Sequence, residues 1–215
     1  MVENKPTKPK YTEKQIQDCL DTFKTIPIRN LYFELEAAAE DCRYVLLIDK
    51  NENSQIYFTY KATMRDFHKE DLKCQLGMQT KTAALETLRT ALVYSMRIGD
   101  TFVINLDKLA PDFNVKYTHD TIFPAEEIFD APLWHNEENY MKVVREDEDH
   151  DLLGNKKMYV MRDKFTIAVL SLYDTDERIV DVCNAVPNSE DFVRLIIERQ
   201  EDTDQPYKAQ NPTTE

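Results

Sequence analysis

Glycine is almost absent from this chain: only Gly77, Gly99 and Gly154 occur among 215 residues. A phosphate-binding loop needs glycines so that backbone N–H groups can close on the phosphates. Neither GxxxxGKS/T nor GxGxxG exists anywhere, and the nearest fragment, Gly154-Asn155-Lys156, precedes an extended run rather than a helix. The nucleophile elbow GxSxG is missing for the same reason. Cysteine is also sparse. Cys19, Cys42, Cys74 and Cys183 form no CxxC pair and no zinc-finger spacing, so they read as reduced, buried or half-buried thiols of a cytosolic protein. Positive charge is in deficit, with 27 Lys and Arg against 40 Asp and Glu and a net charge of −13. That balance argues against partners such as nucleic acid or anionic lipid, whose phosphates need clustered Lys and Arg. No run approaches the roughly 18 apolar residues that span a bilayer. The stretch Met1 to Lys10 lacks the apolar segment of a secretory signal, so a cytoplasmic location is expected.

Hydrophobic residues make up 42% of the chain, the usual globular share. Residues 1–11 are rich in Pro and Lys and read as a basic, flexible tail. Residues 12–43 read as a helical segment. Thr12 and Gln15 form a capping box ahead of a stripe of Ile16, Cys19, Leu20 and Phe23, and Pro27 ends that helix. A second helix carries Leu31, Leu35, Ala38 and Cys42. Residues 44–200 read as an α/β domain, and 201–215 as a polar, flexible tail.

Within the domain, Tyr44 to Asp49 and Thr101 to Asp107 are short apolar runs, the pattern of strands covered on both faces. Between them, residues 80–98 carry Leu85, Leu88, Leu92 and Met96 on one helical stripe that runs into Gly99. Ile56 to Phe67 fits strand or helix. Residues 112–123 read as loop, with short helices following Pro124 and Asn136. Met158–Met161 and Phe165–Ser171 read as strands. Ser189 reads as the cap of a last helix bearing Phe192, Leu195 and Ile196. Apolar strands separated by helices predict an α/β fold with a mostly parallel sheet and flanking helices.

The candidate sites are few. His68, His119, His135 and His150 fall in no HExxH or deaminase pattern. The run Glu146 to Asp151 places Asp147, Asp149 and Asp151 at the first ligand positions of an EF-hand. Leu152 then stands where that loop needs Gly, and Met158 where it needs Glu, so a solvated acidic loop is the better reading and no metal is expected. Asp107 ends a strand where a Walker B acid would sit, but Lys108 follows where a second acid would polarise water. Ser171 ends another strand where a sensor group would reach a γ-phosphate. Without a phosphate loop both are strand-end or capping groups, and no cofactor is expected. Trp134, the only tryptophan, reads as core, with an interface anchor as the other option. The lysines of the basic tip, Lys5, Lys8 and Lys10, are the remaining candidate partner contacts.

The order of these pieces resembles the degenerate AAA+ modules of dynein heavy chains, most closely the fifth. It is also similar to the P-loop-like C-terminal domain of IQ-motif and ankyrin-repeat proteins. The match runs over about residues 40–200: Leu46-Leu-Ile-Asp49, the helix into Gly99, the strand closing at Asp107 and Pro111, then Met158 to Ser171 and Val182 to Arg199. In that family a D-P-x-x-Q-A-type turn follows the first strand. Here Asp49 and Gln55 stand in the turn, Lys50 replaces the proline and the spacing is longer. The resemblance implies an AAA+-like fold that hydrolyses no ATP. It also implies company in a microtubule-based, ciliary or axonemal assembly, with tubulin or axonemal proteins as partners. The alternatives are a nucleotide-binding regulatory domain with an irregular site, or a dynein-related motor subunit.

Overall fold

The computed structural model describes residues 10–198. In chain order the elements are α1 (Glu13–Leu20), β1 (Lys24–Ile26), α2 (Leu31–Glu40), β2 (Val45–Ile48), α3 (Asn53–Lys61), β3 (Thr63–Asp66), α4 (Phe67–Gln75), α5 (Lys81–Ile98), β4 (Thr101–Asp107), α6 (Ala125–Ile128), α7 (Ala131–Trp134), α8 (Glu137–Tyr140), β5 (Thr166–Ser171), α9 (Asp176–Ala185) and β6 (Val193–Ile197). The strands form one six-stranded sheet in the order β1-β6-β2-β5-β4-β3. Every pairing in it is parallel. The expected parallel α/β fold is therefore present.

Alternation along the strands divides the core into two layers. Val45 and Leu47 of β2, Val103 of β4, Ala168 and Leu170 of β5 and Leu195 of β6 pack with Leu31, Leu35, Ala38 and Phe58 of α2 and α3. The opposite face presents Leu46, Ile48, Phe102, Ile104, Ile167 and Val169. It packs against the α5 stripe, α9 and an aromatic group of Phe67, Phe113, Phe123, Phe129 and Trp134. Helices on both faces explain why β2 and β5 are buried at every position.

Local chemistry sets the main boundaries. Thr12 and Gln15 make the reciprocal capping box that starts α1. Thr80 caps α5 by accepting from the Ala83 N–H, and Gly99 ends that helix at φ +76°. A Cβ at Gly99 would come within 3.0 Å of Arg162 Cβ, so both conformation and space call for glycine there.

Three parts of the sequence reading change. The segment 12–43 holds a strand as well as two helices: Lys24–Ile26 pairs with Leu195–Ile197 and extends the sheet. Met158–Met161 joins no ladder. Tyr159 and Met161 are buried, the Tyr159 hydroxyl donates to Val93 O at 2.7 Å, and the Arg162 N–H donates to Met96 O at 2.9 Å. The segment is thus bound to α5 rather than to a strand. Finally, Ser189–Asp191 is a single 3-10 turn, and Val193–Ile197 is strand β6, not a helix. Its backbone lies between β1 and β2 and pairs with both, which an isolated helix would forgo. The open stretch Ile56 to Phe67 divides into the end of α3, the strand β3 and the start of α4.

Candidate functional site

In open parallel sheets, ligands bind outside the carboxyl ends of the strands where the strand order reverses. Here that point lies between β2 and β5, since the chain leaves β2 toward β3 at one side of the sheet and β5 toward β6 at the other, and β4 is the next strand. Asp49, Ser171 and Asp107 lie there side by side. The Asp49 N–H donates to Ser171 O at 2.9 Å, and the Leu172 N–H to Asp107 O at 2.8 Å.

The turn after β2 leads into α3 and holds the place of a phosphate loop between strand and helix. Asp49 is completely buried. One carboxylate oxygen accepts from the Asn51 N–H at 2.9 Å; the other accepts from the Ser54 N–H and the Ser54 hydroxyl, each at 2.6 Å. One donor of the first turn of α3, the Ser54 N–H, and the Asn51 N–H just before the helix are thereby taken by an anion belonging to the chain itself, placed at the positive end of the helix dipole. Glu52 completes the turn at φ +61°, a conformation that usually calls for glycine.

Asp107 also lies at positive φ, +51°, beyond a register shift in the β4–β5 ladder. Its N–H donates to the Asn105 side-chain oxygen at 3.0 Å, while the buried Asn105 amide donates to Asp66 at 2.9 Å. Burial raises the Asp66 carboxyl, but hydrogen bonds from Lys69 and Asn105 outweigh it and hold the group below its ordinary range. His68 Nε2 stands 3.7 Å from the Asp107 carboxylate, beyond hydrogen-bond length. Ser171 is buried. Its hydroxyl oxygen accepts from the Tyr173 N–H at 3.3 Å and lies 3.5 Å from Asp107 O. It therefore closes a strand end instead of reaching outward. The lysines of this edge face carboxylates: Lys50 pairs with Asp176 at 3.1 Å and Lys108 with Glu52 at 3.9 Å. Among the described residues no group of His, Cys, Asp or Glu is placed to hold a metal ion.

The candidate partner contacts fare differently. Trp134 is wholly buried in the core, so the interface option for it is withdrawn. Lys10 is exposed but pairs with Asp181 of α9 at 2.6 Å, where the Tyr11 hydroxyl also donates. Lys5 and Lys8 lie outside the described residues. The acidic run is more than a solvated loop. Glu148 turns inward to Arg89, whose side chain is buried, at 2.5 Å.

A second surface feature was not foreseen. On α2 and α3, Tyr32, Phe33, Ile56 and Tyr60 are exposed, and Tyr32 and Tyr57 line a groove of about 610 Å³. Large apolar side chains left open on neighbouring helices mark contact surfaces. The signal was present as excess aromatics in Leu31–Phe33 and Ile56–Tyr60, but one-face periodicity could not say which of them point outward.

Comparison of the chain with family models, curated proteins and solved structures finds no match. The fold and the edge define a parallel α/β domain. Among the described residues no helix is long and apolar enough to cross a membrane.

Proposed function

We propose that this chain is a non-catalytic interaction domain, an AAA+-like α/β block that works through contacts with other proteins. The observation that carries this reading is Asp49. A phosphate approaching the N-terminus of α3 would meet a buried carboxylate that already takes the Asn51 and Ser54 N–H groups. Like charge and lost donors both oppose it. Lys50 and Lys108, the lysines of this edge, face Asp176 and Glu52 across exposed pairs. Contact surface is available instead on α2 and α3, where the exposed aromatics lie.

The resemblance to degenerate dynein modules supports placing this block in a microtubule-based, ciliary or axonemal assembly. An acidic body with a net charge of −13 suits basic protein partners there, and Lys5 and Lys8 suit acidic tubulin surfaces. Co-sedimentation with polymerised tubulin, and with salt-stripped axonemes, tests this reading. The full chain is expected in the axonemal pellet, saturably. Recovery in the supernatant at every concentration would remove the cytoskeletal placement, and turnover of ATP or GTP would remove the non-catalytic one.

A further inference from the structure

The amino-terminal edge of the sheet, opposite the edge discussed above, carries two adjoining grooves that share the rim Gly99, Asp163 and Lys164. The first, about 610 Å³, lies against α2 and α3. Its apolar wall includes Tyr32 and Tyr57, and its other charges are Glu36, Glu40 and Asp100 against the single Lys61. The second, about 570 Å³, lies against the segment 151–164. Its apolar wall is Leu152, Met158 and Val160, and its other charges are Arg97 and Arg162 against the single Asp151. One half is thus acidic and aromatic, the other basic and aliphatic. Tyr32 (49% exposed), Leu152 (52%), Met158 (57%) and Val160 (62%) leave apolar surface open along both.

The basic half keeps a net positive charge beside Asp151, with Arg162 as its exposed cation and Arg97 half-buried over the Tyr159 ring at 5.3 Å. Among the described residues Arg97 and Arg162 pair with no carboxylate: an Arg97 guanidinium N–H donates to Glu148 O, and Arg162 Nε–H to Arg97 O. Arg162, Glu36 and Glu40 are all exposed.

We propose that this edge is the interface of a twofold dimer of the chain. In an isologous contact, patch i meets patch j and patch j meets patch i, so a surface must be complementary to its own rotated image. A twofold axis through the shared rim does this. It sets the acidic groove of each copy on the basic groove of the other, with the shared rim of Gly99, Asp163 and Lys164 at the centre. The aromatic wall then covers the aliphatic wall. An unrelated partner would need the same bipolar pattern; a second copy supplies it by construction. The net charge of −13 repels two copies at long range, so the local pattern prevails only where salt screens beyond about 8 Å, near physiological ionic strength. This inference names a second copy as the occupant of the Tyr32 and Tyr57 groove that the interaction-domain reading leaves open to partners; axonemal binding and nucleotide turnover test that reading, and self-association tests this one.

Sedimentation equilibrium of the full chain at near-physiological salt tests the dimer, with exposed charge reversals as the probe. The wild type is expected to move from the 25.3 kDa monomer to twice that mass as concentration rises. Arg162→Glu and Glu40→Lys each place like charges across both halves of the contact and should weaken association by about tenfold or more. An equimolar mixture of the two variants restores opposite charge at both contacts, so heterodimer should reappear. Circular dichroism of each variant establishes that it is folded. A wild type that stays monomeric at every concentration overturns the proposal. So does a dimer indifferent to both reversals, or a mixture that fails to associate.

Discussion

Replacing Asp49 by alanine should destabilise the fold and, at the same time, create an anion site. The carboxylate is fully buried and accepts three hydrogen bonds, at 2.9, 2.6 and 2.6 Å. Hydrogen bonds to a charged group contribute roughly 1.5–3 kcal/mol each, and the loss of a helix cap costs about 1 kcal/mol. These contributions overlap, because all three donors belong to one turn and water can reach some of them once the side chain is shortened. A net loss of about 3 kcal/mol is therefore expected, or about 6–12 °C in Tm for a chain of this length. Thermal unfolding followed by circular dichroism measures it. The variant also frees the N–H groups of Asn51 and Ser54 at the positive end of α3, so millimolar sulfate should recover part of the loss in the variant and little in the wild type. A loss below about 1 kcal/mol, or equal sulfate effects on both proteins, would refute the argument that the carboxylate stands where a phosphate would bind.

The Glu148–Arg89 pair makes stability depend on acid. Burial raises the Glu148 carboxyl, but the hydrogen bonds from Arg89 and Arg145 outweigh it and hold the group below its ordinary value of 4.5. Its contribution is fully present above that value and is lost as pH falls through the lowered one. Glu148→Gln should cost about 2 kcal/mol at neutral pH, less than a fully buried pair because Glu86 still holds Arg89, and urea midpoints of the two proteins should converge in acid. The Cys19 and Cys183 sulfurs lie 3.6 Å apart. The hydrogen bond shared with Cys183 lowers the Cys19 thiol to about 7, with Arg194 aiding, while the same bond and burial raise Cys183. Alkylation by iodoacetamide should reach half its limiting rate near pH 7 at Cys19, and Cys183→Ala should move that midpoint upward; an unchanged midpoint would remove the coupling.

The fold was legible where local chemistry and tertiary position agreed. The strand Thr101–Asp107 follows from a short apolar run, and the helix Lys81–Ile98 from a leucine stripe that runs into a terminal glycine. The reading failed where position decided. Phe192, Leu195 and Ile196 have helical spacing, yet Val193, Leu195 and Ile197 also alternate, and the slot between β1 and β2 selects the alternation. Met158–Met161 alternates too, but it joins no strand; the Tyr159 hydroxyl and the following Arg162 N–H bond to α5 instead. At the candidate site, the shortage of glycine pointed to the missing phosphate loop. That Asp49 fills its place depended on a five-residue reach to Ser54, which no periodicity encodes.

The carboxyl edge either takes a nucleotide or is closed to it. Thermal unfolding of the full chain with excess ATP and Mg²⁺, and then with GTP, measures this directly. A ligand at roughly 100 times its Kd stabilises by about 2.7 kcal/mol, or about 5–11 °C here. The self-filled turn at Asp49 predicts no shift with either nucleotide; a saturable rise of that size, abolished by substitutions in the turn 49–54, would contradict it.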